Sequence, residues 1–84
     1  MWYVYILKCS DDTLYTGITT EIARRVEEHN SSPLGARYTR SRRPVQLVYS
    51  SEFETRAEAA AQEYRIKKMS REQKTRMVEG QHSG

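Results

Sequence analysis

Two tyrosines, a glycine, an arginine, a histidine and a glutamate are the residues of this chain that could act together on a phosphate ester: Tyr5, Tyr15, Gly17, Arg25, His29 and Glu63. Tyr5 lies in the apolar run WYVYIL, and Tyr15 and Gly17 lie in LYTGITT, residues 14–20. A strand built only for packing favours Val or Ile at such places, and Gly weakens a strand interior. A tyrosine near a metal-bound water could accept or orient its proton, although a reference pKa of about 10 requires a nearby cation to help. Its ordinary role in a strand is packing with a polar tip. Gly17 could mark a bulge, or it could let a phosphate backbone come close.

Arg25 and His29 stand four residues apart, on one face of any helix through EIARRVEEH. A guanidinium suits a phosphate, and a histidine can share or move a proton near neutral pH. The bland alternative for Arg25 is a helix pair with Glu21. Glu63 sits on the flank of an alanine-rich stripe, and one carboxylate is enough for Mg²⁺, which keeps several waters. Its bland alternative is a pair with Lys67, whereas Glu58 is explained by a helix cap. Arg37, Tyr38, Arg40, Arg42 and Arg43 form the strongest polyanion signal, with phosphate contacts from the arginines and a ring on which a base could stack. Lys67, Lys68, Arg71, Lys74 and Arg76 add a second basic stretch. A solvated basic face explains either run equally well. Zinc-ligand spacing, a phosphate-binding glycine loop and a serine or cysteine triad setting are all missing from the sequence.

The elements that must position these residues follow from pattern. Residues 2–8 are continuously apolar and aromatic, as in a central strand buried on both faces. SDD, residues 10–12, is turn chemistry, and 13–18 return as a second strand. Parity then decides the site. A three-residue loop pairs Cys9 with Thr13, Leu7 with Tyr15 and Tyr5 with Gly17, so Tyr5, Tyr15 and Gly17 share a face. A two-residue loop would separate the two tyrosines. Thr19 or Thr20 is suited to cap the first helix, which carries Ile22 and Val26 on one stripe with His29 a turn further. NSSPLG, residues 30–35, is loop. VQLVYSSEF alternates Val45, Leu47 and Tyr49 with polar residues, as in a half-buried strand. TRAE, residues 55–58, is a capping box opening a helix to about Met69, with Ala57, Ala60, Ala61 and Tyr64 as its apolar stripe. SREQ, residues 70–73, restarts a short basic helix whose evident apolar residues are Met77 and Val78. The order β-β-α-β-α-α implies an α+β fold, a three-stranded, mainly antiparallel sheet flanked by helices.

With 84 residues and 37% apolar content, the chain has material for one domain with a modest core. The domain is expected over residues 1–79, with 80–84, GQHSG, as a disordered tail. A net charge of +3 is weak support for a polyanion partner by itself. Cys9 is the sole cysteine, so an intrachain disulfide is excluded and a reducing, cytoplasmic setting fits. MWYVYIL is too short to cross a membrane and lacks the marks of a signal peptide, so no membrane partner is expected and a monomer is the default.

Taken together, these residues resemble the GIY-YIG nuclease family. The first half-motif is degenerate, Tyr3-Val4-Tyr5, and the second is Tyr15-Thr16-Gly17. Arg25 matches the family's helix arginine, ten residues after the second tyrosine, His29 the histidine one turn on, and Glu63 in AAAQEYRIKK the metal-binding glutamate. The run YVYILKCSDDTLYTGITT, with RRVEEHN, RYTRSRRPVQLVY and KKMSR after it, is similar to the small stand-alone bacterial branch, the UPF0213-like single-domain proteins. Tyr3 and Val4 replace the family's glycine and isoleucine while the tyrosine is kept, and the further DNA-binding module of larger members has no counterpart here. The resemblance implies a nuclease that uses Mg²⁺ (or Mn²⁺) on nucleic acid, DNA ahead of RNA. Tyr5, Tyr15, Arg25, His29 and Glu63 would be catalytic, with Glu63 also the metal ligand. Gly17, Arg37, Tyr38, Arg40, Arg42, Arg43, Lys67 and Lys68 would contact the nucleic acid. The alternative is a binding module that keeps the fold and cleaves nothing.

Overall fold

In the computed structural model, residues 1–82 are described, without the His82 side chain. β1 (Trp2–Lys8) is the middle strand of a three-stranded antiparallel sheet, flanked by β2 (Leu14–Thr19) and β3 (Gln46–Phe53) in the order β2-β1-β3. Val4, Tyr5, Ile6 and Leu7 are all buried, which is why this strand reads as apolar without alternation. The hairpin has the odd-length loop that parity requires. Tyr5 pairs with Gly17 and Leu7 with Tyr15, while the Cys9 amide donates to the Thr13 carbonyl at 2.8 Å. Asp12 takes the left-handed conformation, φ 68°, that closes three-residue loops of this kind. Asp11 accepts hydrogen bonds from the Thr13 hydroxyl at 2.6 Å and the Thr13 amide at 3.2 Å, which fixes the turn.

Helix α1 (Ile22–Ser31) lies on the Tyr5/Leu7 side of the sheet, where Val26 packs against Tyr5, Leu7, Cys9 and Val45. Its N-cap is Glu21, which makes no side-chain cap bond. Neither expected cap, Thr19 or Thr20, takes that place: Thr19 still belongs to β2, and its hydroxyl accepts from the Glu21 amide at 3.1 Å and donates to the Glu21 carbonyl at 3.5 Å. Between α1 and β3 the basic segment forms a single helical turn, α2 (Arg37–Arg40), beyond the six elements expected from pattern. Asn30 fixes the approach to β3 by donating to the Val45 carbonyl at 3.0 Å and accepting its amide at 2.7 Å.

Helices α3 (Arg56–Lys67) and α4 (Arg71–His82) cover the other side, around Val4 and Ile6. Both capping boxes form, Thr55 with Glu58 and Ser70 with Gln73. Two sequence patterns resolve differently. The Val45–Leu47–Tyr49 alternation is broken by an irregularity: Ile6 faces Tyr49 but Leu7 faces Leu47. Val48 is the extra residue, so Tyr49 joins the Val4/Ile6 core and Val45 the Tyr5 core. Helix α3 docks through Ala59 and Ile66, both fully buried, while Ala57 and Ala61 are exposed and Tyr64 is 61% exposed. Alanine buries too little surface to outweigh Ile66, whose burial stabilises by ~1.5–3 kcal/mol. Helix α4 is drawn to His82, with the Gln81 amide bridging both backbone groups of Ser50. The remainder of the expected tail, Ser83 and Gly84, lies outside the described residues. Among those described, no helix is long and apolar enough to cross a membrane.

Candidate active site

The hairpin register brings the Tyr5 phenol directly over Gly17. A side-chain carbon on Gly17 would stand 2.5 Å from the Tyr5 hydroxyl oxygen and 2.7 Å from its ring carbon. The glycine is therefore needed for the phenol to cross β2, a closer reason than either a bulge or room for a phosphate. Tyr15 lies beside it, with ring centroids 6.5 Å apart.

From α1, His29 meets this pair. Its Nε2 is 2.9 Å from the Tyr5 hydroxyl, and its ring stands edge-on to Tyr15 at 5.2 Å. His29 and Thr39 are fully buried. His29 Nδ1 lies 2.9 Å from the Thr39 hydroxyl, which donates to the Ala36 carbonyl at 2.9 Å, and the Ala36 amide points at Nδ1 at 3.3 Å. Gly35 allows this loop to close on the helix, since a side-chain carbon there would be 2.6 Å from the Glu28 carbonyl. Two proton placements fit. With the proton on Nδ1, His29 donates to Thr39 and accepts from Tyr5; with it on Nε2, His29 accepts from Ala36 and donates to Tyr5. Thr39 escaped the sequence reading because a lone Thr within an arginine-rich run carries no signal of its burial.

Arg25 acts on the same phenol through its charge and is held by two other groups. Its Nη1 donates to Glu28 Oε1 at 3.0 Å and to the Leu34 carbonyl at 2.8 Å. Its helix partner is thus Glu28, three residues on, rather than Glu21. Burial opposes its charge, but the hydrogen bonds to Glu28 and Tyr5 outweigh this and raise its pKa. Burial pushes the Tyr5 phenol up to about 12; a hydrogen bond from Arg25 works against the shift, and the charges of Tyr15 and Glu63 add to it. Burial, aided by the charges of Arg25 and Arg43, pushes His29 down to about 4, with Glu28 opposing. At neutral pH the centre is therefore a neutral phenol bonded to a neutral imidazole beside a permanent cation.

Residues 1–76 match the family model described as the GIY-YIG catalytic domain. The chain belongs to the GIY-YIG family. It is 58% identical over 83 residues to a UPF0213 protein of Desulfotalea psychrophila, covering 99% of this chain and 76% of that protein. Two solution NMR structures are similar. One is a UPF0213 protein from Bacillus halodurans, at 45% identity and TM-score 0.60, covering 94% of this chain and 84% of that one. The other is a protein from E. faecalis, at 44% identity and TM-score 0.65, covering 98% and 86%. The family is a nuclease superfamily, and the two solved relatives share the fold described above.

Glu63 belongs to α3, the helix on the opposite side of the sheet from His29. Its carboxylate is 23% exposed and its direct partner is Lys67, at 3.2 Å, the expected helix pair. Its charge nonetheless reaches Tyr5. Among the described residues no three His, Cys, Asp or Glu side chains converge as a metal cage. The donor at hand, one half-buried carboxylate, fits a hydrated hard cation such as Mg²⁺ or Mn²⁺, which keeps several of its waters.

The arginine run divides by function. Arg43 donates to the carbonyls of His29, Glu28 and Ser32, closing the C-terminal end of α1. Arg40 donates to the Pro33 carbonyl. Arg42 pairs with Asp11 at 3.1 Å and donates to the Tyr38 carbonyl. It also lies 4.0 Å from the Tyr38 ring centroid, covering one face of the ring expected to stack on a base. Tyr38 stacks on Tyr15 at 5.8 Å. Only Arg37 of the run is exposed and unengaged among the described residues. In the second stretch Lys67 holds Glu63, and Lys68 sits 4.4 Å from the Tyr64 ring.

Proposed function

We propose that this chain is a metal-dependent nuclease that hydrolyses phosphodiester bonds in nucleic acid, DNA ahead of RNA. The observation that carries this reading is the buried Tyr5–His29 hydrogen bond, with Arg25 acting on the same phenol. A packing cluster has no need of a hydroxyl bonded to an imidazole beside the charge of a guanidinium.

The Tyr5 oxygen is held with a fixed direction, so its free lone pair can orient an attacking water. A phenol near pKa 12 does not surrender its proton to an imidazole near pKa 4 in advance. Proton movement therefore accompanies bond formation: Tyr5 takes the water's proton as His29 Nε2 takes that of Tyr5. This relay requires the His29 proton on Nδ1, the placement that Thr39 accepts. Tyr15 holds the water or a phosphate oxygen. Arg25 neutralises charge growing on the phosphoryl oxygens. Glu63 would hold one Mg²⁺ or Mn²⁺, which when bound supplies positive charge to the leaving oxygen.

End-labelled single-stranded, duplex and branched DNA, and RNA, incubated in Mg²⁺, Mn²⁺ or EDTA, test the reading. Metal-dependent cutting should fall by about 10²–10³ in Arg25→Ala and be lost in Glu63→Ala, with both variants folded. Binding without cutting by the unaltered chain, or cutting that survives both changes, overturns it in favour of a binding module.

A further inference from the structure

Where the strand runs after leaving the catalytic centre is legible from which cations the fold leaves free. Of the 14 Lys and Arg residues, Arg24, Arg37 and Lys74 are the ones with no side-chain hydrogen bond, ion pair or ring contact among the described residues. Lys74 belongs to α4, on the far side of the sheet from α1, yet it lines a cleft of about 220 Å³ with Thr13, Leu14, Tyr38 and Arg71. Tyr38 is the shared wall: it bounds this cleft and stacks on Tyr15 of the catalytic centre. Arg71 and Lys74 are three residues apart on one helix face, and Arg71 is anchored by a hydrogen bond to the Asp12 carbonyl at the hairpin tip. No carboxylate lines the cleft. Of the nearby acids, Asp11 pairs with Arg42, Asp12 with Lys8 at 3.3 Å and Glu72 with Arg76, while Glu79 lines the adjoining clefts with Arg71.

We propose that this cleft holds the phosphodiester backbone of the nucleic acid on one side of the catalytic centre, with Lys74 as the phosphate contact and Arg71, bonded to the Asp12 carbonyl, as the charged wall beside it. The proposal rests on the nuclease reading and adds a direction to it: the strand passes from Tyr15 over Tyr38 and around the hairpin tip to α4. Charge complementarity and continuity with the catalytic centre select this occupant. It also moves the main grip from the Arg40–Arg43 segment, whose guanidinium groups are committed to the protein's own carbonyls and Asp11, to a helix on the opposite side.

The test is fluorescence anisotropy of a fluorescein-labelled single-stranded DNA with the full chain, in EDTA so that the probe stays intact, over a range of KCl concentrations. Loss of one phosphate contact reduces the slope of log K against log salt by about 0.7. Lys74→Gln should show that reduction. Lys74→Arg should restore the slope. Arg56→Gln, a cation stacked on Trp2 at the other end of β1, should leave it unchanged. An unaltered slope in Lys74→Gln, an equal reduction in Arg56→Gln, tighter binding of labelled polyglutamate than of DNA, or no DNA binding by the unaltered chain each overturns the proposal. Cleavage assays on the same proteins separate the two readings. Cutting lost in Glu63→Ala but an unchanged Lys74→Gln slope removes the cleft and keeps the nuclease. A reduced slope in a chain that never cuts keeps the cleft and removes the nuclease.

Discussion

β1 sends Val4 and Ile6 to one side of the sheet and Tyr5 and Leu7 to the other, and the two sides are built in different ways. The Val4/Ile6 side is closed by Ala59 and Ile66, with Trp2, Leu14, Ile18, Phe53, Met69, Met77 and Val78 around them. The Tyr5 side buries a phenol, an imidazole and the Thr39 hydroxyl just as deeply. Each of these has its hydrogen-bond partner, and no buried side-chain nitrogen or oxygen among the described residues lacks one. Apolar packing is non-directional and contributes stability. Buried polar bonds contribute little net stability but fix orientation, and leaving one unmade is costly. In a domain this small, the dry side supplies the stability that lets the other side hold polar groups at defined angles.

The largest expected separation between the sides comes from Tyr5→Phe. It removes one oxygen, so cleavage should fall about 10²–10⁴-fold while DNA affinity and the dry core are unchanged; a variant cutting at the original rate would show that the phenol only packs. The mirror-image change, Ile66→Ala, should lower the unfolding free energy by about 2–5 kcal/mol in urea titration without altering the cleavage rate of the folded fraction. If it slowed the chemistry as much as Tyr5→Phe, the two sides would not be separable.

Smaller effects sharpen the contrast. Thr39→Val should destabilise by about 1–3 kcal/mol, because His29 Nδ1 loses its hydroxyl partner. It should also shift the ring proton to Nε2, read from ¹⁵N chemical shifts, and slow cleavage, with Thr39→Ser restoring both. The last effect is nil at neutral pH and grows with acid. His29 has a folded-state pKa near 4, below its ordinary 6.5, so between these values the unfolded chain binds more protons. Stability must therefore rise with pH across that window and be lost as pH falls from about 6.5 towards 4. A His29→Gln variant that kept the same slope would assign that acid sensitivity to other groups.

Most of the geometry of the candidate site was legible before the structure. Tyr5, Tyr15 and Gly17 share a face through hairpin parity, and Arg25 with His29 through helical spacing. Local rules were less secure where two candidate seams competed. The alanine stripe of α3 lost to Ala59 and Ile66, and the extra residue at Val48 turned Tyr49 to the other core. Thr39, the single turn of α2 and the dual use of Tyr38 were not legible at all.

The sequence by itself determined which side chains stand on a common face, where the caps fall and which residue types could meet a phosphate, because those depend on neighbours a few positions away. Only the tertiary structure decided which groups are available. Arg43 and Arg37 are the same chemical group six residues apart, yet one is bound to three carbonyls of α1 and the other has no partner among the described residues. The freedom of a guanidinium is set by the acceptors that distant segments bring to it. For the same reason Lys74, from the far side of the sheet, keeps a charge without a partner among the described residues, as Arg37 does, while Arg40, Arg42 and Arg43 do not.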